Sequence, residues 1–209
     1  MKTQINLLKK LLLLGFFMMF SFASFAQNFK SEIEKHREGY RQAFLNEEGS
    51  PLKQQDLINL SFFEPDSTYA VLANVTMLTD EVPFSMPTYN GQSHPYTRYA
   101  TLKFSVNGKA QELTLYRNIA LSKLAAYKDY LFLPFTDASN GKETYSGGRY
   151  IDLNIQDIKN DVIKIDFNKA YNPYCAYSDG YQCPKPPAEN EIKQNINAGE
   201  KAFSGAKKH

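Results

Sequence analysis

The stretch that decides the fold class is RYATLKFSVNGKAQELTLY, residues 98–116. Apolar and polar side chains alternate through Arg98–Val106 and again through Lys109–Tyr116, which is the period of a half-buried strand. Asn107 and Gly108 lie between the two runs, and both tolerate the positive φ that a two-residue hairpin turn requires. The stretch therefore predicts an antiparallel β-hairpin.

Further strands are predicted on both sides of this hairpin, at Tyr69–Met77, Tyr130–Phe135, Arg149–Ile155 and Val162–Phe167. Helical periodicity is limited to the two ends of the mature chain. Residues 28–45 place Phe29, Ile33, Tyr40 and Phe44 on one helical face, and a closing helix over about 188–202 would use Ile192 and Ile196. We therefore predict one mainly β (α+β) domain over residues 27–209. Its architecture would be an antiparallel barrel or strongly bent sandwich with an N-terminal helical segment and a C-terminal helix.

The first 26 residues have the pattern of a secretory signal peptide. Three lysines precede the apolar run Leu11–Phe20, and Ser24–Ala26 supplies the small residues that a signal peptidase reads. We predict that cleavage leaves Gln27 as the first residue. The alternative, an uncleaved anchor, would need roughly 20 apolar residues to span a bilayer, and this stretch is shorter. The sequence thus predicts an exported protein, periplasmic or secreted, without a stable membrane span after cleavage.

The charge balance of the mature chain excludes several partner classes. The full sequence has 24 Lys and Arg against 22 Asp and Glu, and three of the lysines lie in the signal segment, which leaves 21 against 22. This near-neutral surface gives no reason to expect nucleic acid or an anionic membrane as a partner. The chain carries no recognisable phosphate loop, nucleophile elbow or zinc-protease motif, so neither a metal nor a cofactor is predicted. A small polar ligand is the expected partner, and the oligomeric state is open.

A series of short motifs resembles one known family over nearly the whole mature chain. The motifs are Ser50–Leu52, Phe62–Asp66, Leu133–Asp137, Gly141–Tyr145, Gly148–Tyr150, Ile165–Pro173, Cys175–Tyr177, Cys183–Pro184, Pro186–Pro187, Asn190 and Ala198–Glu200. In this order they resemble DUF1684, a domain family of unknown function. Tyr174 and Lys185 depart from the family's pattern, in which a proline and an apolar residue are expected. The resemblance implies no activity and no catalytic residues.

One cluster of polar candidates follows the strand that ends near Phe135. Asp137, Thr144, Tyr145 and Arg149 lie within 13 positions there. Loops at strand ends often hold ligand-binding groups on a rigid base, and an arginine can clamp a carboxylate or phosphate. The alternative is structural, with Asp137 capping its own turn and Arg149 pairing with Asp137 or Asp166.

A second group of candidates lies in the proline-rich loop and the segment after it. The candidates for ligand contact are Asp166, Asn168, Asn172, Tyr177, Asn190 and Glu200. The amides can contact a ligand or satisfy the backbone of an irregular loop. Four tyrosines, Tyr171, Tyr174, Tyr177 and Tyr181, can line a cleft for a ring-bearing ligand or pack over the sheet. Glu200 would lie near the C-terminal end of the closing helix, which is unfavourable for a carboxylate and suggests a partner such as Arg149.

Cys175 and Cys183 are the two cysteines of the chain. In an exported protein, two cysteines eight positions apart most simply form a disulfide. The alternatives are a metal pair or a reactive thiol, although a zinc site usually needs four ligands and the histidines lie far off in sequence.

Three functions follow from these patterns. The first is an envelope small-ligand-binding domain with a polar, aromatic-lined pocket formed by the two candidate groups. The second is a hydrolase that uses carboxylates or a cysteine at the same place. The third is a structural domain without a ligand, in which Arg149, Asp137, Asp166 and the proline-rich loop are a folding latch that ties the closing helix to the sheet.

Overall fold

The computed structural model of the chain describes residues 27–209, and the predicted signal peptide lies outside them. A single α-helix, α1 (residues 27–46), begins this described part and confirms the N-terminal helical prediction. Ile33 and Phe44 on its inner face are buried, and Phe44 packs with Leu52, Leu60 and Tyr177. None of the helices in residues 27–209 has the length and apolar character needed to cross a membrane.

The remainder of the fold is one curled sheet of eight strands. The strands are β1 (Ala70–Met77), β2 (Phe84–Pro87), β3 (Ser93–Val106), β4 (Lys109–Asn118), β5 (Tyr130–Asp137), β6 (Arg149–Asn154), β7 (Val162–Asp166) and β8 (Glu191–Ile192). Their order across the sheet is β6-β5-β4-β3-β1-β7, with β2 paired to β3 and β8 paired to β5. All pairs are antiparallel except β5–β8. The sheet forms a half-barrel, so the mainly β prediction is confirmed.

The hairpin of β3 and β4 forms where the sequence predicts it. Val106 pairs with Lys109, and the turn residues Asn107 and Gly108 have φ values of 50° and 71°. Alternate residues of the surrounding strands point to the concave side and form the main core, among them Leu102 and Leu113. The period of two in the sequence therefore reports which face of the sheet is buried.

A second cluster of large side chains lies on the opposite face of the sheet. Tyr116, Phe132 and Tyr150 are next to core residues in sequence and therefore point the other way, and they pack with Met86 and Tyr96. Both faces of β5 are consequently buried. This second cluster forms one wall of the candidate site described below.

The predicted C-terminal helix over about 188–202 is wrong. That segment contains a three-residue 3-10 turn, Ala188–Asn190, then β8, and then chain without helical structure as far as Glu200. Ile192 and Ile196 are buried as expected. However, the Arg149 guanidinium donates hydrogen bonds to alternate backbone carbonyls in this segment, those of Ile196, Ala198 and Glu200. A helix over 188–202 would have used the Ile196 and Ala198 carbonyls internally, so the tertiary contacts override the apolar spacing.

Candidate functional site

Asp137 and Arg149 form a fully buried ion pair at adjacent strand ends. Asp137 ends β5 and Arg149 begins β6, and the guanidinium Nη2 lies 2.9 Å from a carboxylate oxygen, with neither side chain exposed. Arg149 also donates to the Ile196, Ala198 and Glu200 carbonyls, at 2.9, 2.5 and 3.2 Å. The pair thus fastens residues 196–200, here called the closing segment, to the sheet.

The turn after β5 directs its polar side chains toward one another. Asp137 Oδ1 accepts hydrogen bonds from the Ser139 backbone amide and hydroxyl and from the Ile196 amide. The Asn140 side-chain oxygen accepts a hydrogen bond from the Asp137 backbone amide, and its side-chain nitrogen donates to the Thr144 hydroxyl at 2.8 Å. Tyr145 has a long contact, 3.5 Å, with the Cys175 carbonyl. These contacts are the turn-capping pattern expected for Asp and Asn after a strand.

Glu200 is the centre of a second buried network. Its carboxylate accepts hydrogen bonds from the Tyr177 hydroxyl at 2.7 Å, the Tyr40 hydroxyl at 2.9 Å and the Asn172 backbone amide at 2.8 Å. Asn172 also donates to the Lys201 carbonyl. Burial raises the pKa of Glu200 to about 7, although these hydrogen bonds oppose the rise. The expected partner, Arg149, contacts the Glu200 backbone carbonyl, and tyrosines hold the carboxylate.

The side chains of Asn168 and Asn190 hydrogen-bond backbone peptide groups in the way that a neighbouring strand would. Asn168 accepts from the Asp66 amide and donates to the Asp66 carbonyl, at 2.9 and 2.8 Å. Asn190 does the same with Thr114, at 2.8 Å in both directions, and also donates to the Pro134 carbonyl. Each side-chain amide therefore satisfies a buried peptide group, as the structural alternative predicts.

Asp166 differs from the other candidates because it lines the large cleft described below. Its Oδ1 accepts from the Asn168 backbone and side-chain amides. Its Oδ2 is buried, lies 4.0 Å from the Lys164 ammonium and has no hydrogen-bond partner among residues 27–209. The two predicted groups do meet in space, because Arg149, Asn172 and Tyr177 all contact Glu200. The point where the two groups meet is therefore the closing segment, to which Glu200 belongs.

A large cleft lies elsewhere, between α1, β5, β6 and the loop of residues 171–184. It encloses about 970 Å³. Five rings in contact form a continuous wall, with successive centroid distances of 5.9, 4.7, 5.8 and 5.9 Å. In order, these rings are Tyr96, Phe132, Tyr150, Tyr171 and Tyr40. We call this space the aromatic cleft. Its size is that of a site for a drug-sized molecule.

Asp152 projects into the aromatic cleft from β6. It lies two residues after Tyr150 and opposite Phe132 of β5, so it shares their face of the sheet. The Tyr130 hydroxyl donates to Asp152 Oδ1 at 2.8 Å, and the Tyr171 hydroxyl donates to the same oxygen at 2.7 Å. No protein group within residues 27–209 donates to Oδ2. We call these three residues the Tyr130–Asp152–Tyr171 trio.

Backbone pairing explains why the trio assembles from distant segments. Tyr130 and Asp152 lie on paired strands. The Tyr171 amide donates to the Tyr150 carbonyl at 3.0 Å, and the Tyr150 amide donates to the Tyr171 carbonyl at 2.9 Å. This two-way bridge extends the sheet by one residue beyond β6 and brings the Tyr171 side chain beside Asp152.

Loss of hydration in the cleft raises the pKa of the Asp152 carboxyl group above its ordinary value, and the hydrogen bonds from Tyr171 and Tyr130 oppose that rise. Its side chain nevertheless has a solvent-accessible face. The carboxylate is therefore crowded by neighbouring protein atoms yet reachable from solvent. The hydrogen bonds from phenols favour the charged form.

The opposite end of the cleft, near β7, carries positive charge. Lys159, Lys164 and Lys169 line it, and Lys169 forms an ion pair with Glu32 of α1 at 3.1 Å. His36 lies at the same end, and burial lowers the pKa of its imidazole. The cleft thus has the Asp152 carboxylate with aromatic rings on the β6 side, and three ammonium groups with the Asp157 and Asp166 carboxylates on the β7 side.

The sequence anticipates part of this wall. Of the four tyrosines predicted to line a cleft, Tyr171, Tyr174 and Tyr181 do so, whereas Tyr177 is buried against Glu200. Neither Asp152 nor Tyr130 is among the ligand-contact candidates derived from the sequence. The available signal is that Asp152 follows Tyr150 by two positions in a strand, which places a carboxylate on a face lined with aromatic rings.

The two cysteines are joined in the structure. Cys175 and Cys183 form a disulfide with a Cα–Cα distance of 6.2 Å, as the sequence predicts. Neither sulfur is then available as a thiolate, so the hydrolase hypothesis loses its cysteine version. Within residues 27–209, no three His, Cys, Asp or Glu side chains are grouped so that they could hold a metal ion.

Comparisons with known proteins agree on the fold and leave the activity open. A solution NMR structure of an uncharacterized protein from Haloarcula marismortui is similar, with 32% sequence identity and a TM-score of 0.65. The similarity covers 84% of this chain and 95% of that one. No curated protein matches significantly. Residues 55–201 match the sequence profile of DUF1684, described as a protein of unknown function, and the chain therefore belongs to the DUF1684 family.

Proposed function

We propose that this protein is a small-ligand-binding domain and that its site is the aromatic cleft. The observation that carries the proposal is the combination, in one space of about 970 Å³, of a continuous wall of aromatic rings and a carboxylate with one open oxygen. Binding sites for small molecules are concave and mostly apolar, with a few polar groups that fix orientation. The aromatic cleft has this composition.

We further propose that the domain works outside the cytoplasm, in the periplasm or beyond the cell. The Cys175–Cys183 disulfide supports this location because disulfides persist in oxidising compartments. The signal-like pattern of the first 26 residues supports it independently. Intact mass of the protein recovered from cells expressing the full chain tests the location, since export with cleavage predicts a chain that begins at Gln27.

For nine of the ten ligand-contact candidates taken from the sequence, we propose a structural role in place of ligand binding. Asp137, Thr144 and Arg149 close a turn and fasten the closing segment, and their side chains contact other protein groups. Glu200 is held in the same way by Tyr177. The tenth candidate, Asp166, remains a proposed ligand contact because it lines the cleft and its buried Oδ2 accepts no hydrogen bond from residues 27–209.

A library of small polar and aromatic molecules tests the proposal when it is screened by thermal shift against protein purified from cells expressing the full chain. Two variants place a bulky ring in the cleft lining, Ala43→Trp on α1 and Leu121→Trp after β4. Gln42→Trp is the matched control, because Gln42 is adjacent on α1 but exposed and outside the cleft lining. A ligand of the cleft should bind at least tenfold more weakly to one of the blocking variants. Equal binding to all three variants and the unmodified protein would place the ligand elsewhere and refute the proposal.

A further inference from the structure

Six tyrosine hydroxyls around the aromatic cleft direct their hydrogens to protein acceptors. Tyr130 and Tyr171 both donate to Asp152 Oδ1. The other donor and acceptor pairs are Tyr40 to the Glu200 carboxylate, Tyr150 to the Pro184 carbonyl, Tyr174 to the Glu47 carboxylate and Tyr181 to the Gly49 carbonyl. A phenol has a single hydrogen, so these six groups present only ring faces and oxygen lone pairs to a ligand.

The Tyr130–Asp152–Tyr171 trio is consequently a set of acceptors. Asp152 Oδ2 is open, each phenol oxygen retains a lone pair, and both phenol hydrogens are already directed to Oδ1. A ligand group that fits the trio must supply several hydrogen-bond donors and need none in return. A sugar hydroxyl carries one donor and two lone pairs, and those lone pairs would find no donor in the trio.

Charge leads to the same conclusion. Phe132 is the cross-strand neighbour of Asp152, and Tyr150 lies two residues away on the same face of the sheet. A cation beside the carboxylate would make charge-assisted hydrogen bonds and would also lie over the negative faces of these rings. We infer that the Asp152 end of the cleft binds the primary ammonium or guanidinium group of an organic cation whose apolar part lies along the aromatic wall. This inference rests on the proposed function and specifies its ligand class.

The remainder of the cleft limits the shape of that ligand. Lys159, Lys164 and Lys169 line the β7 end together with Asp157 and Asp166, so ammonium groups outnumber carboxylates among the lining residues there, and a polyamine lying along the whole cleft would meet net positive charge. A quaternary ammonium would match the charge but has no N–H to donate to the trio. The ligand is therefore a monocation with N–H groups at one end and an apolar or aromatic body.

Three probes of nearly equal shape test the inference by isothermal titration calorimetry with protein purified from cells expressing the full chain. The probes are 2-phenylethylamine, the neutral 2-phenylethanol and the trimethylated ammonium form of the amine. The amine should bind about tenfold more tightly than either analogue, because it alone has both the charge and the N–H donors. Spermidine should bind more weakly than the monoamine. This comparison uses the unmodified protein and needs no variant.

Asp152→Asn keeps an oxygen that can accept the two phenol hydrogens but removes the charge. The variant should therefore bind the amine about tenfold more weakly and bind the alcohol with unchanged affinity. The matched control is Asp129→Asn, which removes the same charge near the start of β5 from a residue outside the cleft lining. Equal affinity for the amine and the alcohol would overturn the inference and leave the proposed binding cleft standing. If no probe binds and the library also yields no cleft ligand, the proposed function itself fails.

Discussion

Raising the pH from 4.5 to 7.5 should destabilise the fold through one carboxyl group, that of Glu200. This side chain is fully buried, and its surroundings raise its pKa from the ordinary 4.5 to about 7. The folded protein therefore holds a proton that the unfolded chain releases above pH 4.5. The stabilising contribution is complete below pH 4.5, falls as the pH rises, and is lost above about pH 7.

The size of the effect follows from the two pKa values. A tenfold change in proton affinity corresponds to about 1.4 kcal/mol, so a pKa that moves from 4.5 to about 7 makes the free energy of unfolding about 3 kcal/mol smaller above pH 7. Glu200→Gln cannot ionise and resembles the protonated form in shape. The variant should therefore lack this decline, and at pH 8 it should equal or exceed the unmodified protein in stability.

The assay is urea unfolding of both proteins at intervals between pH 4.5 and 8.5, with the disulfide intact. The informative quantity is the difference between the two free energies, because other groups cancel in it. His36 is one such group: burial lowers its pKa, which makes the fold more stable as the pH rises through about 6.5. Glu48→Gln, at an exposed position, is the control. A difference that stays constant over the whole range would refute the account of Glu200.

Two further perturbations test the proposed latch and the loop. Arg149→Met strands the buried Asp137 carboxylate and should lower the free energy of unfolding by about 3 to 5 kcal/mol in urea titrations, with partial recovery when Asp137→Asn is added. A loss below 1 kcal/mol would argue against the latch. The double variant Cys175→Ser, Cys183→Ser should cost about 2.5 kcal/mol by the chain-entropy estimate for so short a loop, and an unchanged urea midpoint would contradict it.

Local signals in the sequence are sufficient for six of the eight strands and for the first helix. Asn107 and Gly108 specify a turn because their backbones tolerate positive φ, and this property does not depend on the rest of the fold. Ile33 and Phe44 likewise identify the buried face of α1 from spacing alone. Such features are predictable because neighbouring residues determine them.

The end of the chain could not be predicted in this way. Ile192 and Ile196 have helical spacing and are buried, but the segment is not helical, because Arg149 binds alternate carbonyls. A single arginine 47 or more positions away therefore decides the local conformation. The spacing of Ile192 and Ile196 therefore predicts their burial correctly but their secondary structure incorrectly, because the same spacing can arise in an irregular segment that lies over a core.

The candidate site depends on the same kind of distant pairing. Polar residues near Asp137 attract attention in the sequence because they are dense, yet density at a turn also satisfies the turn itself. Asp152 is a single carboxylate in a strand, and it becomes distinctive only when Tyr130 and Tyr171 converge on it. The Tyr150–Tyr171 bridge that causes this convergence joins residues 21 positions apart.

Mapping of amide chemical shifts during titration of the isotope-labelled protein with 2-phenylethylamine tests the central claim most directly. If the aromatic cleft is the binding site, saturable shifts should concentrate at Tyr150–Leu153 of β6 and at Tyr171. The contradicting result is a set of shifts at Asp137, Arg149 and the closing segment, with no change in β6 beyond Tyr150. It would place the binding site at the buried polar network and not in the aromatic cleft.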